Sequence, residues 1–182
     1  MKKVAILLTV VMSFAMVSTL SAQGLGLNSI GAKAGIILPE DPWDTGFYGG
    51  VVADMGELTE NLGLVPFATY WKSNYSISGY DLGLSNIQIG ADVHYYLPGA
   101  PGLYLGGGLS LNFLSVEYPT FDYVTYSTST TSESETKFGF GFLAGFGFNI
   151  GNQSAFVEGK YNIISDLNTI ELALGILFDM GK

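Results

Sequence analysis

At 182 residues and with no cysteine, the chain has room for one domain and none for disulfides, thiolate metal sites or a lipid-modified N-terminal cysteine. The formal net charge is -9 and every basic residue is a lysine; an acidic chain without arginine is a poor match for a phosphate backbone, which argues against nucleic acid as a partner. Charged residues are scarce while Gly, Tyr and Phe abound, and after Ala22 no apolar run approaches the length of a membrane helix although mean hydropathy is positive, so the apolar residues are spread out rather than clustered.

The chain starts with Lys2 and Lys3, runs apolar from Val4 to Val17, and closes that run with the small residues Ser18, Thr19, Ser21 and Ala22. This is the pattern of a secretory signal peptide over residues 1–22, leaving a mature domain over 23–182. The apolar run is shorter than the roughly 20 residues of a spanning helix. Loss of the two leader lysines takes the net charge to -11.

Beyond Ala22 the apolar residues follow a period of two. Ile30, Ala32, Ala34, Ile36 and Leu38 stand opposite Lys33; Phe47, Val51, Ala53 and Met55 stand opposite Tyr48 and Asp54. Leu62 to Trp71 has no clear phase, because Leu64, Ala68 and Tyr70 compete with Val65, Phe67 and Trp71 around Pro66. From Ser85 to Leu97, Ile87, Ile89, Ala91, Val93, Tyr95 and Leu97 alternate with Asn86, Gln88, Gly90, Asp92, His94 and Tyr96. Leu103 to Phe113 sets Leu103, Leu105, Leu109, Leu111 and Phe113 against Tyr104, Ser110 and Asn112. Thr136 to Ile150 is the clearest stretch, with Phe138, Phe140, Phe142, Ala144, Phe146, Phe148 and Ile150 on one face and mostly glycine on the other. Ala155, Val157, Tyr161 and Ile163 then oppose Glu158, Lys160 and Asn162, and Ile170, Leu172, Leu174, Ile176 and Phe178 oppose Glu171.

Eight such strands in succession predict an all-β fold, an eight-stranded antiparallel up-and-down transmembrane β-barrel. The lumen of so small a barrel admits only side chains, and the Phe-rich set would overfill it. The small and polar set fits there, with Gly106, Gly108, Gly139, Gly141, Gly145 and Gly147 leaving space, so the apolar set meets lipid. Short connections at Gly56–Asn61, Pro98–Gly102 and Gly151–Ser154 alternate with longer, polar ones at Pro39–Thr45, Lys72–Gly83 and Tyr118–Glu135; Ser165–Asn168 is a short exception. Short inner turns and longer outer loops characterise outer-membrane barrels. Lipid-facing aromatics near strand ends form two girdles: Phe47, Tyr70, Phe113, Phe138 and Tyr161 outside, Tyr95, Phe148 and Phe178 inside.

The strand ending Tyr95-Tyr96-Leu97-Pro98, the stretch Ala155 to Asn162 and the terminal Leu177-Phe178 resemble the eight-stranded outer-membrane barrel superfamily that includes OmpX, OmpW and the barrel domain of OmpA. The resemblance covers the whole mature chain and implies an integral outer-membrane location, outer-membrane lipid as solvent and the barrel-insertion machinery as a partner. That family's last strand usually ends the chain on an aromatic residue; here Phe178 is followed by Asp179, Met180, Gly181 and Lys182. The chain looks like the stand-alone barrels of the family.

Candidates for chemistry are few. Lys33, Asp54, Asp92, His94, Glu158, Lys160 and Glu171 face the lumen, and hairpin register sets Glu171 beside Lys160; they read as a structural ion-pair network. His94 is the only histidine and sits beside Asp92. Some barrels of this fold acylate or deacylate lipid A, but that chemistry belongs at the outer rim with a serine and an acid, whereas His94 lies four residues before the turn at Pro98 and reads as structural. Gly106-Gly107-Gly108 lies within a strand and has neither a following Lys-Ser pair nor a helix, so it is no phosphate loop. No metal set and no cofactor motif is present in the sequence, and no enzyme activity is expected. Tyr118, Phe121, Tyr123 and Tyr126, followed by a Ser/Thr tract with Glu133 and Glu135, form a candidate recognition loop for an unidentified surface ligand. The same segment reads equally as two strands prolonged beyond the membrane. The expected role is structural or recognition at the cell surface; a narrow pore or a lateral route for small hydrophobic molecules, which the likeness to OmpW implies, is the alternative.

Overall fold

A computed structural model describes residues 25–77, 80–122 and 127–180; the segment 1–22, expected to be a signal peptide, lies outside the described residues. The strands in chain order are β1 (Ser29–Pro39), β2 (Gly46–Asp54), β3 (Glu57–Thr59), β4 (Leu62–Ile77), β5 (Tyr80–Tyr96), β6 (Leu103–Asp122), β7 (Ser127–Ile150), β8 (Gln153–Ile164) and β9 (Leu167–Asp179). Each long strand pairs antiparallel with its neighbours, β1 with β9 and β2 with β4 completing the circle, so the eight long strands form a closed barrel. The three-residue β3 lies in the β2–β4 turn and pairs only with β4. Closure leaves no unpaired edge at membrane depth, which hydrocarbon requires because it cannot hydrogen-bond backbone.

Faces follow the alternation. Phe47, Tyr70, Leu109, Phe138, Phe142 and Leu174 are exposed to the lipid side, while Lys33, Asn86, Gln88, Asp92, Asn112, Glu158, Lys160 and Glu171 are buried in the lumen. Two residues of the apolar set depart from it. Met55 is buried because β2 ends at Asp54 and the chain there turns, its N–H donating to the Leu64 carbonyl. Ala155 is buried because its single methyl is flanked across the ladders by Phe148 and Ile176.

The register on both sides sets the phase of β4. Thr69 stands opposite Gln88 and Trp71 opposite Asn86, so Phe67, Thr69 and Trp71 point inward and Tyr70 meets lipid beside Ile87. A one-residue slip would invert all of them. Pro66 falls where β2 has stopped pairing, at Phe67, and β3 has not begun, at Gly63; its missing N–H costs no ladder bond.

The lumen is layered rather than uniformly small and polar. Near the outer rim Ile37, Tyr48, Trp71, Leu84, Leu114, Ile164, Leu167 and Ala173 pack into an apolar plug, with Trp43 of the β1–β2 loop and Val116 against it. Val52, Phe67 and Phe156 form a smaller apolar cluster in the inner half. The polar tier lies between.

Lys72–Gly83, expected as an outer loop, is strand in its described residues, and Tyr118–Glu135 follows the second of its two readings, two strands prolonged past the rim. β4 and β5 stay paired from Leu62 to Ile77, and β6 and β7 from Leu103 to Asp122. Pairing with the rest of the barrel stops earlier: β2 leaves β4 at Lys72, and β8 leaves β7 at Gly139. Strands β4 to β7 therefore project as a wall beyond the rim, and the β6–β7 hairpin rises alone past the Gly83–Glu117 pair.

Candidate functional site

Two places carry the chemistry, the polar tier of the lumen and the projecting wall. In the tier, Lys33 on β1 reaches across to Glu158 on β8, Nζ to Oε1 at 3.1 Å. Lys160, two residues on, sends Nζ to both oxygens of Asp92 on β5, at 2.7 and 2.8 Å. Both lysines are almost wholly buried. Both ammonium groups also face Phe67, at 5.1 Å from the ring centroid for Lys33 and 4.0 Å for Lys160.

Glu171 lies opposite Lys160 in the β8–β9 register, but it forms its hydrogen bond with Asn162, whose Nδ2 donates to Oε1 at 2.8 Å. Asn162 belongs to a belt of amides and hydroxyls that charge-based reading of the sequence misses. Gln88 Nε2 donates to Ser110 Oγ at 3.1 Å and to Asn162 Oδ1 at 3.4 Å, and Asn112 receives a bond from Asn86 at 2.9 Å and gives one to Ser110 at 3.0 Å. Their signal was their phase: Asn86 and Gln88 share a strand face with Asp92, Asn162 shares one with Glu158 and Lys160, and Ser110 and Asn112 stand opposite the apolar set of β6.

Missing side chains make this tier possible. A Cβ on Gly108 would strike the Asp92 carboxylate, and one on Gly141 would stand 2.7 Å from the Lys160 Cε. Gly145 likewise receives the Tyr104 ring. In return, the Tyr104 hydroxyl donates to Glu158 Oε2 at 3.1 Å, so both oxygens of that carboxylate are engaged. Buried ions are tolerated only when so satisfied.

His94 does not bond Asp92. Its ring stacks on Tyr104, with centroids 4.5 Å apart and planes at 11°, and its Nε2 lies 3.8 Å from Glu158 Oε2 with no hydrogen-bond partner. Asp54 stands apart from the ion pairs at the inner end, where it accepts the Gly56 N–H at 2.8 Å. Among the described residues no group of His, Asp and Glu is placed to hold a metal ion.

On the wall, the Tyr118 hydroxyl donates to Glu133 Oε1 at 2.9 Å, and Thr120 and Thr131 hydroxyls meet at 2.9 Å across the same hairpin. The bond to Glu133 raises the Tyr118 phenol above its usual range. Lys72 pairs with Glu117 at 3.1 Å, over Gly83, and Lys137 with Asp166 at 2.9 Å and Glu135 at 3.2 Å. Phe121 lies on β6 with its backbone opposite Thr128; Tyr123 and Tyr126 lie outside the described residues.

Comparison with known proteins agrees with this architecture. No curated protein matches the chain. Among solved structures it is similar to Ail, the attachment invasion locus protein of Yersinia pestis, at 15% identity over 84% of this chain and 97% of that one, with a TM-score of 0.55. Neisserial surface protein A is similar at 17% identity over 86% and 99%, TM-score 0.58. A major outer membrane protein of Thermus thermophilus is similar at 16% over 82% and 98%, TM-score 0.54. The model of the outer membrane protein beta-barrel domain matches residues 6–176, and the chain belongs to that outer-membrane family.

Proposed function

We propose that this barrel is a surface-recognition protein, anchored by a lumen that does not conduct and acting through the wall built from β4 to β7. The carrying observation is the pairing of an apolar plug at the outer end of the lumen with strands prolonged past it. Trp71 and Ile37 are essentially without exposure at that level, and a barrel of eight strands has no spare cross-section around them. Two prolonged hairpins make a stiff platform, and tyrosine, serine and threonine supply contact area and adaptable hydrogen bonds at low entropic cost.

Charge narrows the kind of surface the wall recognises. The wall and its neighbouring loops carry Glu40, Asp41, Asp44, Asp81, Glu117, Asp122, Glu133, Glu135 and Asp166 against Lys72 and Lys137, both of which are already paired. Ail has been solved in complex with the heparin analogue sucrose octasulfate. A polyanion of that kind is disfavoured on this wall, and an electropositive partner is favoured.

Replacing residues 118–131 by a two-residue Asn-Gly turn joins the paired Glu117 and Ser132 directly and keeps the barrel intact. Cells displaying this trimmed form with Glu133→Gln and Glu135→Gln should lose adherence to cationic surfaces relative to the full-length form, at equal surface abundance. Equal adherence by both forms contradicts the reading. The competing transport reading, a narrow pore or lateral passage of small hydrophobic molecules, requires the plug to open. The lipid-modifying reading requires an outer-rim histidine, and His94 is in the inner half.

A further inference from the structure

The inner half of the lumen encloses a cavity of about 560 Å³, within the range of roughly 300–1,000 Å³ typical of small-molecule sites. Its floor is the Lys33–Glu158 pair with Asp92, and the amide belt and apolar plug lie beyond, so it is reached only from the inner end. One wall is aromatic: His94 stacked on Tyr104, with Tyr96 tilted against Tyr104 at 5.9 Å. Phe67 and Phe156 face it, and Phe146 and Phe148 stand at the mouth, where the inner girdle meets the membrane interface.

The charges on the floor are spent on one another. Asp92 takes Lys160, and Glu158 divides its oxygens between Lys33 and Tyr104. Asp54 is different: it lines the cavity with one oxygen on a backbone N–H and no ion pair. The inner end adds Glu57, Glu60 and Asp179, and no lysine other than Lys33 and Lys160 lies in this half among the described residues. The cavity mouth is therefore electronegative. His94, 6% exposed, lines the cavity with its ring, while its Nε2 is buried 3.8 Å from Glu158 Oε2.

We propose that this cavity is a binding site for a small amphipathic organic cation. The positive group lies between the Asp54 carboxylate and the face of Tyr96, and the apolar body lies against Phe67 and Phe156. Aromatic faces beside a carboxylate favour such a cation over a neutral analogue of the same shape. This site is independent of the outer wall and of its reading as a recognition surface.

The test uses the full mature barrel in lipid nanodiscs, titrated with the fluorescent dimethylaminostyryl-N-methylpyridinium cation and with its unmethylated neutral analogue, protein-free discs being subtracted. The expected result is saturable binding of the cation, several-fold weaker in Asp54→Asn and lost in Val65→Phe, which fills the cavity. The neutral analogue should bind less and should not respond to Asp54→Asn. Heat-modifiable electrophoresis checks that each variant is folded; if Val65→Phe is not, Tyr96→Leu, which removes the ring face and should weaken cation binding several-fold, replaces it, and unchanged binding there overturns the site. Absence of saturable binding, or binding that survives filling of the cavity, overturns the site. Cation binding unchanged in Asp54→Asn overturns the charge assignment.

Discussion

Lys160 crosses the lumen from β8 to set its ammonium on both carboxylate oxygens of Asp92, on β5, at 2.7 and 2.8 Å, with both groups almost fully buried. The pair ties together two strands that are not neighbours in the barrel. Removing one partner leaves the other charged in a low-dielectric space. Lys160→Met is expected to destabilise the barrel by about 3–5 kcal/mol, whereas Lys160→Met with Asp92→Leu should recover much of that loss. Urea unfolding in lipid vesicles measures both; equal loss in the single and double variants would show that the pair is not the source.

Gly108 seats Asp92 by lacking a side chain. Gly108→Ala drives a methyl into the carboxylate, and the expected cost is about 1–3 kcal/mol. Gly107→Ala, one residue away on the lipid side, meets the Gly141 carbonyl at 3.0 Å and Phe142 Cδ1 at an ordinary 3.9 Å, and should cost clearly less. Parallel unfolding curves for the two variants check the difference.

Trp71 fills the outer plug at 1% exposure. Trp71→Ala removes a full-sized aromatic from a packed layer, at an expected cost of about 3–5 kcal/mol. It should also admit water past Ile37 and Leu114, read as small current steps in a planar bilayer. A silent, fully stable Trp71→Ala barrel would place the block elsewhere.

Tyr118 stands about 17 Å of strand beyond the girdle residue Phe113, outside the membrane. Its phenol is raised by the hydrogen bond it donates to Glu133. A group raised in the folded state stabilises that state below its ordinary titration range and ceases to do so as pH rises through the raised value. Ultraviolet titration of the wild type minus that of Tyr118→Phe should therefore show the Tyr118 phenol ionising late in the folded barrel, shifted back toward the ordinary range in Glu133→Gln. Hairpin order should fall only at alkaline pH, and the melting of the barrel itself should not change with Tyr118→Phe.

Much of the fold is legible because lipid exposure writes an unbroken code: from Phe138 to Ile150 every second residue is apolar and outward. β4 is not legible, since Phe67 and Trp71 are as apolar as Leu64 and Tyr70 and only the partner strands decide which face turns inward. The projecting β6–β7 hairpin reads equally as loop or prolonged strand because Ser127 to Thr136 is polar on both faces and carries no alternation. The apolar plug is hidden for a related reason: Ile37, Leu84, Leu114 and Ile164 each break the polar phase of their own strand by a single residue. In the lumen, phase places the charges on the inner face but not their partners. Lys160 has Glu171 directly across the hairpin, yet pairs with Asp92, 68 residues away, and Lys33 pairs with Glu158, 125 residues away. Such pairings depend on the width of the closed barrel, which no single hairpin contains.

Ion conductance of the purified protein in a planar lipid bilayer separates a sealed barrel, active through its outer wall, from a pore. No resolved channel steps are expected from the wild-type protein under conditions where a known porin conducts. Reproducible, voltage-stable steps from folded wild-type barrel would contradict the sealed barrel.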